Sequence, residues 1–151
     1  MIQLARPENR EAVNELALQL HAQHIQWRPD LFAAADELYS QERFDAEVRQ
    51  RHLYVALIDG VVLGYVRLEM KSHESPGMVK RKVMRIKELC VQESCRGQGI
   101  GKEMMADIRA LAAAFRCTDL QLGVYPQNDD AVGFWQKCGF TIRSIEMQQK
   151  V

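Results

Sequence analysis

The hydrophobic positions of this chain follow two rhythms, and the points where one gives way to the other mark the elements. Residues 2–5 read as a short strand. Pro7 then suits the first turn of a helix, where a missing N–H costs nothing. Val13, Leu16, Ala17, Leu20 and His24 recur at helical spacing and predict an amphipathic helix over 7–24. Arg28-Pro29-Asp30 breaks it, because the residue ahead of a proline avoids the helical region. Leu38, Phe44 and Val48, set among charges, predict a second helix over 36–50. The centre changes to strands over 52–58, 61–70 and 83–91, with Asp59-Gly60 as a two-residue hairpin turn and residues 72–77 as a loop. Met104, Met105, Ile108, Leu111, Ala112 and Phe115 restore the helical period over 100–116. A strand over 120–124, a short helix over 128–138 stopped by Gly139, and a last strand over 140–147 complete the order β-α-α-β-β-β-α-β-α-β. An antiparallel meander followed by strand-helix-strand crossovers predicts an α/β domain with a mixed, mostly antiparallel central sheet flanked by helices.

Composition narrows the class without changing that picture. The chain has 151 residues, enough for one domain over 1–151, with 47% hydrophobic and 26% charged positions. Twenty basic residues balance twenty acidic ones. A nucleic-acid or anionic-membrane binder needs a positive excess, so neither partner is expected. No apolar run approaches the roughly 20 residues of a membrane span, and the opening residues lack a signal peptide's charged-then-apolar pattern. Cys90, Cys95, Cys117 and Cys138 show no CxxC spacing and no nearby histidine pair. They read as reduced thiols of a cytoplasmic protein, with no metal site.

The segment with the clearest chemistry is Arg96-Gly97-Gln98-Gly99-Ile100-Gly101-Lys102, between a predicted strand and a predicted helix. Its glycines let the backbone come close to a bulky group. The new helix presents unpaired N–H groups and the positive end of its dipole, with no Ser, Thr, Asp or Asn immediately ahead of it to cap them. A phosphate would serve as the cap, and Arg96 and Lys102 flank the loop with positive charge. The spacing fails the dinucleotide pattern GxGxxG. It also fails the P-loop, which needs glycine where Arg96 stands and a hydroxyl residue where Glu103 stands.

Arg-x-x-Gly-x-Gly resembles the acyl-CoA pyrophosphate loop of the GNAT superfamily of N-acetyltransferases. Glu88-Leu89-Cys90-Val91 is similar to that family's fourth strand. Asn128-x-x-Ala131-x-x-Phe134-Trp135-x-Lys137-x-Gly139-Phe140 is similar to its second signature. Residues 83–147 match in order and spacing, while the first 80 match in element order only. His24-x-x-x-Arg28-Pro29-Asp30-Leu31-Phe32 resembles a segment of one bacterial branch of small members. The resemblance implies acetyl-CoA as cofactor. Backbone groups of Leu89, Cys90 and Val91 would pair with the pantetheine arm where the fourth and fifth strands splay apart, and a backbone N–H there would meet the thioester oxygen. Gly97, Gln98, Gly99, Ile100, Gly101 and Lys102 would hold the pyrophosphate. Asn128 would contact the cofactor or fix the loop after the fifth strand. Phe134 and Trp135 would flank the cofactor, with a core role for Phe134 equally open.

The transfer needs a neutral amine, and an alkyl amine is free base in only on the order of one molecule in a thousand at neutral pH. Glu88 is the candidate general base, against a reading as a salt-bridge partner of Arg85 or Lys87. Many family members carry tyrosine at position 135 as the acid that protonates the leaving thiolate. Trp135 cannot titrate in that role. The thiolate leaves unaided, Tyr125 substitutes, or the site is weakly catalytic. The acceptor side is sought among His21, His24, Trp27, Arg28, Asp30 and Tyr39. The basic run over 80–87 could meet a phosphate or an acidic acceptor, or simply be a solvated face. The expected function is acetyl transfer from acetyl-CoA to a primary amine by direct attack in a ternary complex, on a small-molecule acceptor. A homodimer is compatible with the exposed sheet edges. The alternatives are a non-catalytic acyl-CoA-binding sensor or assembly module, and a protein-amine acetyltransferase.

Overall fold

A five-stranded sheet in the order β1-β2-β3-β4-β5 divides the apolar residues of the chain between its two faces. The computed structural model describes residues 1–151. The elements are β1 (Ile2–Leu4), α1 (Arg10–Trp27), α2 (Gln41–Arg49), β2 (Leu53–Ile58), β3 (Val61–His73), β4 (Arg81–Val91), α3 (Ile100–Ala114), β5 (Asp119–Leu122) and α4 (Asp129–Lys137). The first four strands pair antiparallel, and β5 joins β4 in parallel through the α3 crossover. The β2–β3 hairpin turns on Asp59 and Gly60 at φ of 51° and 78°, the two positive angles that a tight turn between twisted strands requires. No helix is long and apolar enough to cross a membrane.

One face packs α3 through Ile100, Met104, Met105, Ile108 and Ala112 against Val66, Leu68, Met84 and Ile86. Burial of each large side chain there contributes about 1.5–3 kcal/mol. The other face packs α1 and α2 through Val13, Leu16, Ala17 and Phe44 against Leu53, Val55 and Tyr65. Gly64 lets β3, β4 and α3 approach, since a Cβ there would lie 2.8 Å from the Cys90 carbonyl oxygen and 3.1 Å from Met104 Sδ.

Three boundaries differ from the sequence pattern. Residues 7–9 form a 3-10 turn before α1, held by Asn9 Oδ1 accepting the Arg6 N–H at 2.8 Å. The second helix starts at Gln41 because Ser40 caps it, its Oγ accepting the Arg43 N–H at 3.2 Å. The strand expected over 140–147 does not form. The Phe140 N–H turns back to the Trp135 carbonyl, and residues 141–151 run without regular structure, fully exposed. Ile142 and Ile145 are separated by an odd number of positions, so a strand there would put them on opposite faces, with no single apolar side to bury.

Candidate active site at the split of the sheet

A bulge in β4 builds the site. Arg67 of β3 pairs with Glu88, yet its neighbour Leu68 pairs with Ile86, so Lys87 is an extra residue. Before the bulge, Met84 and Ile86 point into the α3 face. After it the parity is reversed: Cys90 points into the α1–α2 face and Leu89 packs toward the α3 face. Glu88 is thereby turned toward α1 and α2. The parallel pairing with β5 also ends at Ile86–Leu122, just before the bulge, so Lys87–Val91 present a backbone edge with no strand beside it.

The glycine loop lies at one end of this open edge. Gly97 and Gly99 hold φ of 77° and 87°, which L side chains rarely adopt, and an added Cβ at either would meet open space. Gly99 is the N-cap of α3 and no side chain caps the helix. Its first internal bond runs from the Glu103 N–H to the Gly99 carbonyl, leaving the amides of Ile100, Gly101 and Lys102 ahead of the ladder. A Cβ on Gly101 would come within 3.3 Å of Phe134 Cζ and 3.9 Å of Val91 Cγ2. Phe134 therefore walls the start of α3 beside the end of β4. Arg96 does not reach outward along the loop; its Nε donates to the Val91 carbonyl at 3.3 Å. Gln98 and Lys102 are exposed. An uncapped helix start, an open backbone edge and a floor that only glycine leaves clear are the features that a pyrophosphate on an extended amide-bearing arm requires.

Glu88 lies toward the other end, 23% exposed at its side chain. Its Oε2 accepts the hydroxyls of Tyr39 at 2.7 Å and Tyr65 at 2.8 Å. Its Oε1 faces Arg43 Nη2 at 3.3 Å and Arg67 Nε at 3.7 Å. Both phenols are buried, and loss of hydration together with the nearby carboxylate raises their pKa well above the ordinary value. They remain neutral donors at physiological pH. The alternative partners Arg85 and Lys87 do not engage Glu88.

Tyr39 reaches Glu88 because α1 holds the loop that carries it. Asn14 Oδ1 accepts the N–H groups of both Leu38 and Tyr39 at 2.9 Å. One turn and more along the same helix, Gln19 clamps the end of β4. Its Nε2 donates to the Val91 carbonyl at 3.1 Å and to Cys90 Sγ at 3.3 Å, and its Oε1 accepts the Glu93 N–H at 3.1 Å. Neither Asn14 nor Gln19 carries a sequence signal, because each acts across 24 or more positions of the chain. Cys90 is buried beneath this clamp, and burial pushes its thiol up to about 11.

Beyond the clamp, Tyr125 meets the end of α1. Its ring lies edge-on to His24 and to Phe32, each at 6.0 Å between centroids, with the Arg28 guanidinium 5.7 Å from its centre. His24 stacks on Phe32 at 5.0 Å. Arg28 is forked onto Asp30 at 2.8 and 2.7 Å, and its Nη2 also donates to Gln148 of the C-terminal segment. Five of the residues expected on the acceptor side are therefore gathered here or at Glu88, and His21 touches Phe32 from α1.

Other expected site residues also make contacts within the protein. Asn128 caps α4, its Oδ1 accepting the Ala131 N–H at 3.1 Å. Trp135 packs between Phe134 and Phe140 at 5.0 and 5.5 Å and shares no aromatic contact with Tyr125. In the basic run, Lys80 pairs with Glu74, Lys82 donates to the Phe115 carbonyl and Arg81 pairs with Asp119.

Residues 18–140 match the acetyltransferase (GNAT) family. The BH1408 protein of Bacillus halodurans, as a tetramutant, superposes with a TM-score of 0.94 at 26% identity, over 100% of this chain and 99% of that one. The aminoglycoside N-acetyltransferase AAC(6')-Iy in complex with CoA has the same fold at 16% identity, with a TM-score of 0.66 over 100% of both chains. A Trypanosoma brucei acetyltransferase superposes with a TM-score of 0.65 at 20% identity, over 100% of this chain and 99% of that one. The split sheet, the uncapped glycine loop and the extent of the match agree: the chain belongs to the GNAT acetyltransferase family.

Proposed function

We propose that the protein transfers an acetyl group from acetyl-CoA to a primary amine of a small molecule, by direct attack with both substrates bound. The observation that carries this reading is the parting of β4 from β5 at the Lys87 bulge, with the glycine loop at one end of the gap, a carboxylate at the other and an aromatic cluster on the segment that leaves β5. Backbone groups of Leu89 to Val91 align the pantetheine arm, and the amides of Gly97 to Lys102 receive the pyrophosphate. Phe134 and Trp135 line and support the cofactor side. Glu88 draws a cationic acceptor to its end of the gap. Tyr125 takes the place of the family's titratable tyrosine, and its hydroxyl returns a proton to the departing thiolate. A small acceptor suits the aromatic cluster of His24, Phe32 and Tyr125 beside the Arg28–Asp30 pair. The aminoglycoside enzyme places a small acceptor analogue on the same fold, in a bisubstrate complex. Four free thiols suit the cytoplasm. The free outer edge of β5 suits pairing of two copies, for which light scattering after gel filtration is the test.

The test is thermal denaturation with acetyl-CoA, CoA and ATP in parallel, followed by thiol release with a panel of amines. A ligand at 100 times its Kd stabilises by about 2.7 kcal/mol, a shift on the order of 5–10 °C for a domain of this size. A shift with both thioester and thiol but not with ATP, together with amine-dependent thiol release, is the expected result. No shift overturns the reading. A shift without release from any amine would favour a binding module instead.

A further inference from the structure

We propose that the aromatic cluster of His24, Phe32 and Tyr125 borders the seat of the acceptor amine, and that His24 accepts the proton the attacking nitrogen loses. This rests on the acetyl-transfer reading above and adds to it a seat and a base. The carboxylate nearest the gap is poorly placed for the second task. Glu88 already receives two hydroxyls on one oxygen and faces two guanidinium groups on the other, so taking a proton would break contacts on which four side chains depend.

His24 has the opposite surroundings. Its ring stacks on Phe32 and is edge-on to Tyr125, and neither ring nitrogen has a hydrogen-bond partner in the protein. A half-buried imidazole with both nitrogens free is available to a ligand in a way that an engaged one is not. Its neighbour His21, by contrast, is bonded to the Ala33 carbonyl at 2.6 Å. Position follows from the helix. Gln19 grips Val91 at the end of the open edge, and His24 lies five residues further along α1, a rise of about 7.5 Å and a rotation of about 140°, which turns its ring toward Tyr125. Tyr125 joins this cluster to the chain that leaves β5, on the far side of the split.

The charges facing His24 decide its form. Loss of hydration, and then His21 on α1, lower its pKa below the ordinary histidine value, and Glu88 on β4 works in the other direction without prevailing. Arg28 is spent on Asp30, and Arg43 of α2 on Glu88 and the Tyr39 ring. The imidazole is neutral at pH 7 and can accept a proton. In the step, the amine lone pair forms the bond to the thioester carbonyl carbon. The carbon–sulfur bond breaks with its electron pair on sulfur. The proton lost by nitrogen rests on His24, the thiolate takes its proton from the Tyr125 hydroxyl as above, and exchange with water returns both side chains to their starting forms.

The test compares wild type with His24→Ala and His24→Phe, the second retaining an aromatic ring against Phe32. For any amine of a panel including 2-phenylethylamine, butylamine and spermidine, kcat should fall about 10²–10⁴-fold in both variants. The KM for acetyl-CoA and the thermal shift with CoA should be unchanged. Added imidazole should restore part of the activity of the alanine variant, and the low-pH limb of wild-type kcat/KM should disappear from both. The second readout needs no turnover. In CoA-saturated wild type, the His24 Cε1–H NMR resonance should move on titration with at least one amine of the panel. A His24→Phe enzyme with more than half of wild-type kcat overturns the proposal. So does a His24 resonance unmoved by every amine, whether or not thiol is released. A protein that shifts with CoA yet shows no His24 response keeps its acetyl-transfer reading and loses this one; failure to bind CoA removes both.

Discussion

At the glycine end of the gap, the groups proposed to face a ligand are backbone amides of one continuous stretch, residues 97–102, that leads into the first turn of α3. At the Glu88 end they are side chains gathered from α1, the loop after it, β3, β4 and the segment after β5. The first arrangement suits recognition of a phosphate by helix geometry and would tolerate change in every side chain that points away. The second depends on a network in which each polar group is held by another, so the loss of one strands several. The two ends should therefore fail differently when broken.

Glu88→Gln gives the largest expected effect. The amide cannot offer one anionic oxygen to two phenols and the other to two guanidinium groups. Arg67, whose Nε is buried with no hydrogen-bond partner, then loses one of its compensating carboxylates. Acetyl transfer should fall by roughly 10²–10⁴, because the acceptor loses its anionic partner and breaking a buried charge network costs about 3–5 kcal/mol, while stabilisation by CoA stays as in wild type. Steady-state kinetics beside a thermal shift with CoA tests both halves of that statement. A variant that loses CoA binding as well would show that the two ends are one unit.

Gly101→Val breaks the other end. Its branched side chain would press on Phe134 and Val91, already 3.3 and 3.9 Å from a bare Cβ, and push α4 away from the start of α3. CoA affinity should drop about 10²-fold in calorimetry while the Tyr39–Glu88–Tyr65 network persists. An unchanged CoA affinity would mean that the glycine serves packing alone.

This contrast also explains what could be read from the sequence. Arg96 to Lys102 announces itself because a backbone site is written in consecutive residues whose spacing is the geometry. Asp59-Gly60 and the helical period of Met104, Ile108 and Ala112 are legible for the same reason. The face of Glu88 was not legible. Alternation along β4 gives one answer before Lys87 and the opposite one after it, and the bulge is set by pairing with β3. Asn14 and Gln19 are polar positions on an amphipathic helix, like many solvated ones, until the loop and β4 arrive to use them. His24 falls within the apolar stripe of α1, and the stripe ends in an aromatic cluster with Phe32 and Tyr125 instead of the core. The expected last strand failed for a related reason: strand-forming residues do not make a strand where no single face is apolar and no ladder is offered.

Alkaline pH probes the Glu88 end without mutation. Tyr39 and Tyr65 have folded-state pKa values raised above their unfolded value near 10, by burial and by the adjacent carboxylate. Below pH 10 both states keep the phenolic protons, and the contribution is fully present. Above it the unfolded chain releases them first, so stability falls as pH rises toward the folded pKa. Between pH 10 and 11 the pair should account for about 2 kcal/mol, read as a lower urea midpoint. Tyr39→Phe/Tyr65→Phe should remove much of that dependence. A double variant with the same slope as wild type would place the alkaline sensitivity elsewhere.

The smallest effect is the most informative about the glycine loop. Gly99 needs a left-handed backbone but has open space around the position of a Cβ, so Gly99→Ala pays for conformation and not for collision. That cost is about 1–2 kcal/mol, close to tenfold in CoA affinity if the loop takes this shape only when bound. Asparagine visits the left-handed region more readily than alanine, so Gly99→Asn should recover part of the loss. A side chain that blocked the ligand would rank the two the other way, because asparagine is the larger. Alanine weaker than asparagine in CoA titrations would show recognition through the amide groups of the loop. Asparagine weaker than alanine would show that the space above Gly99 is itself part of the site.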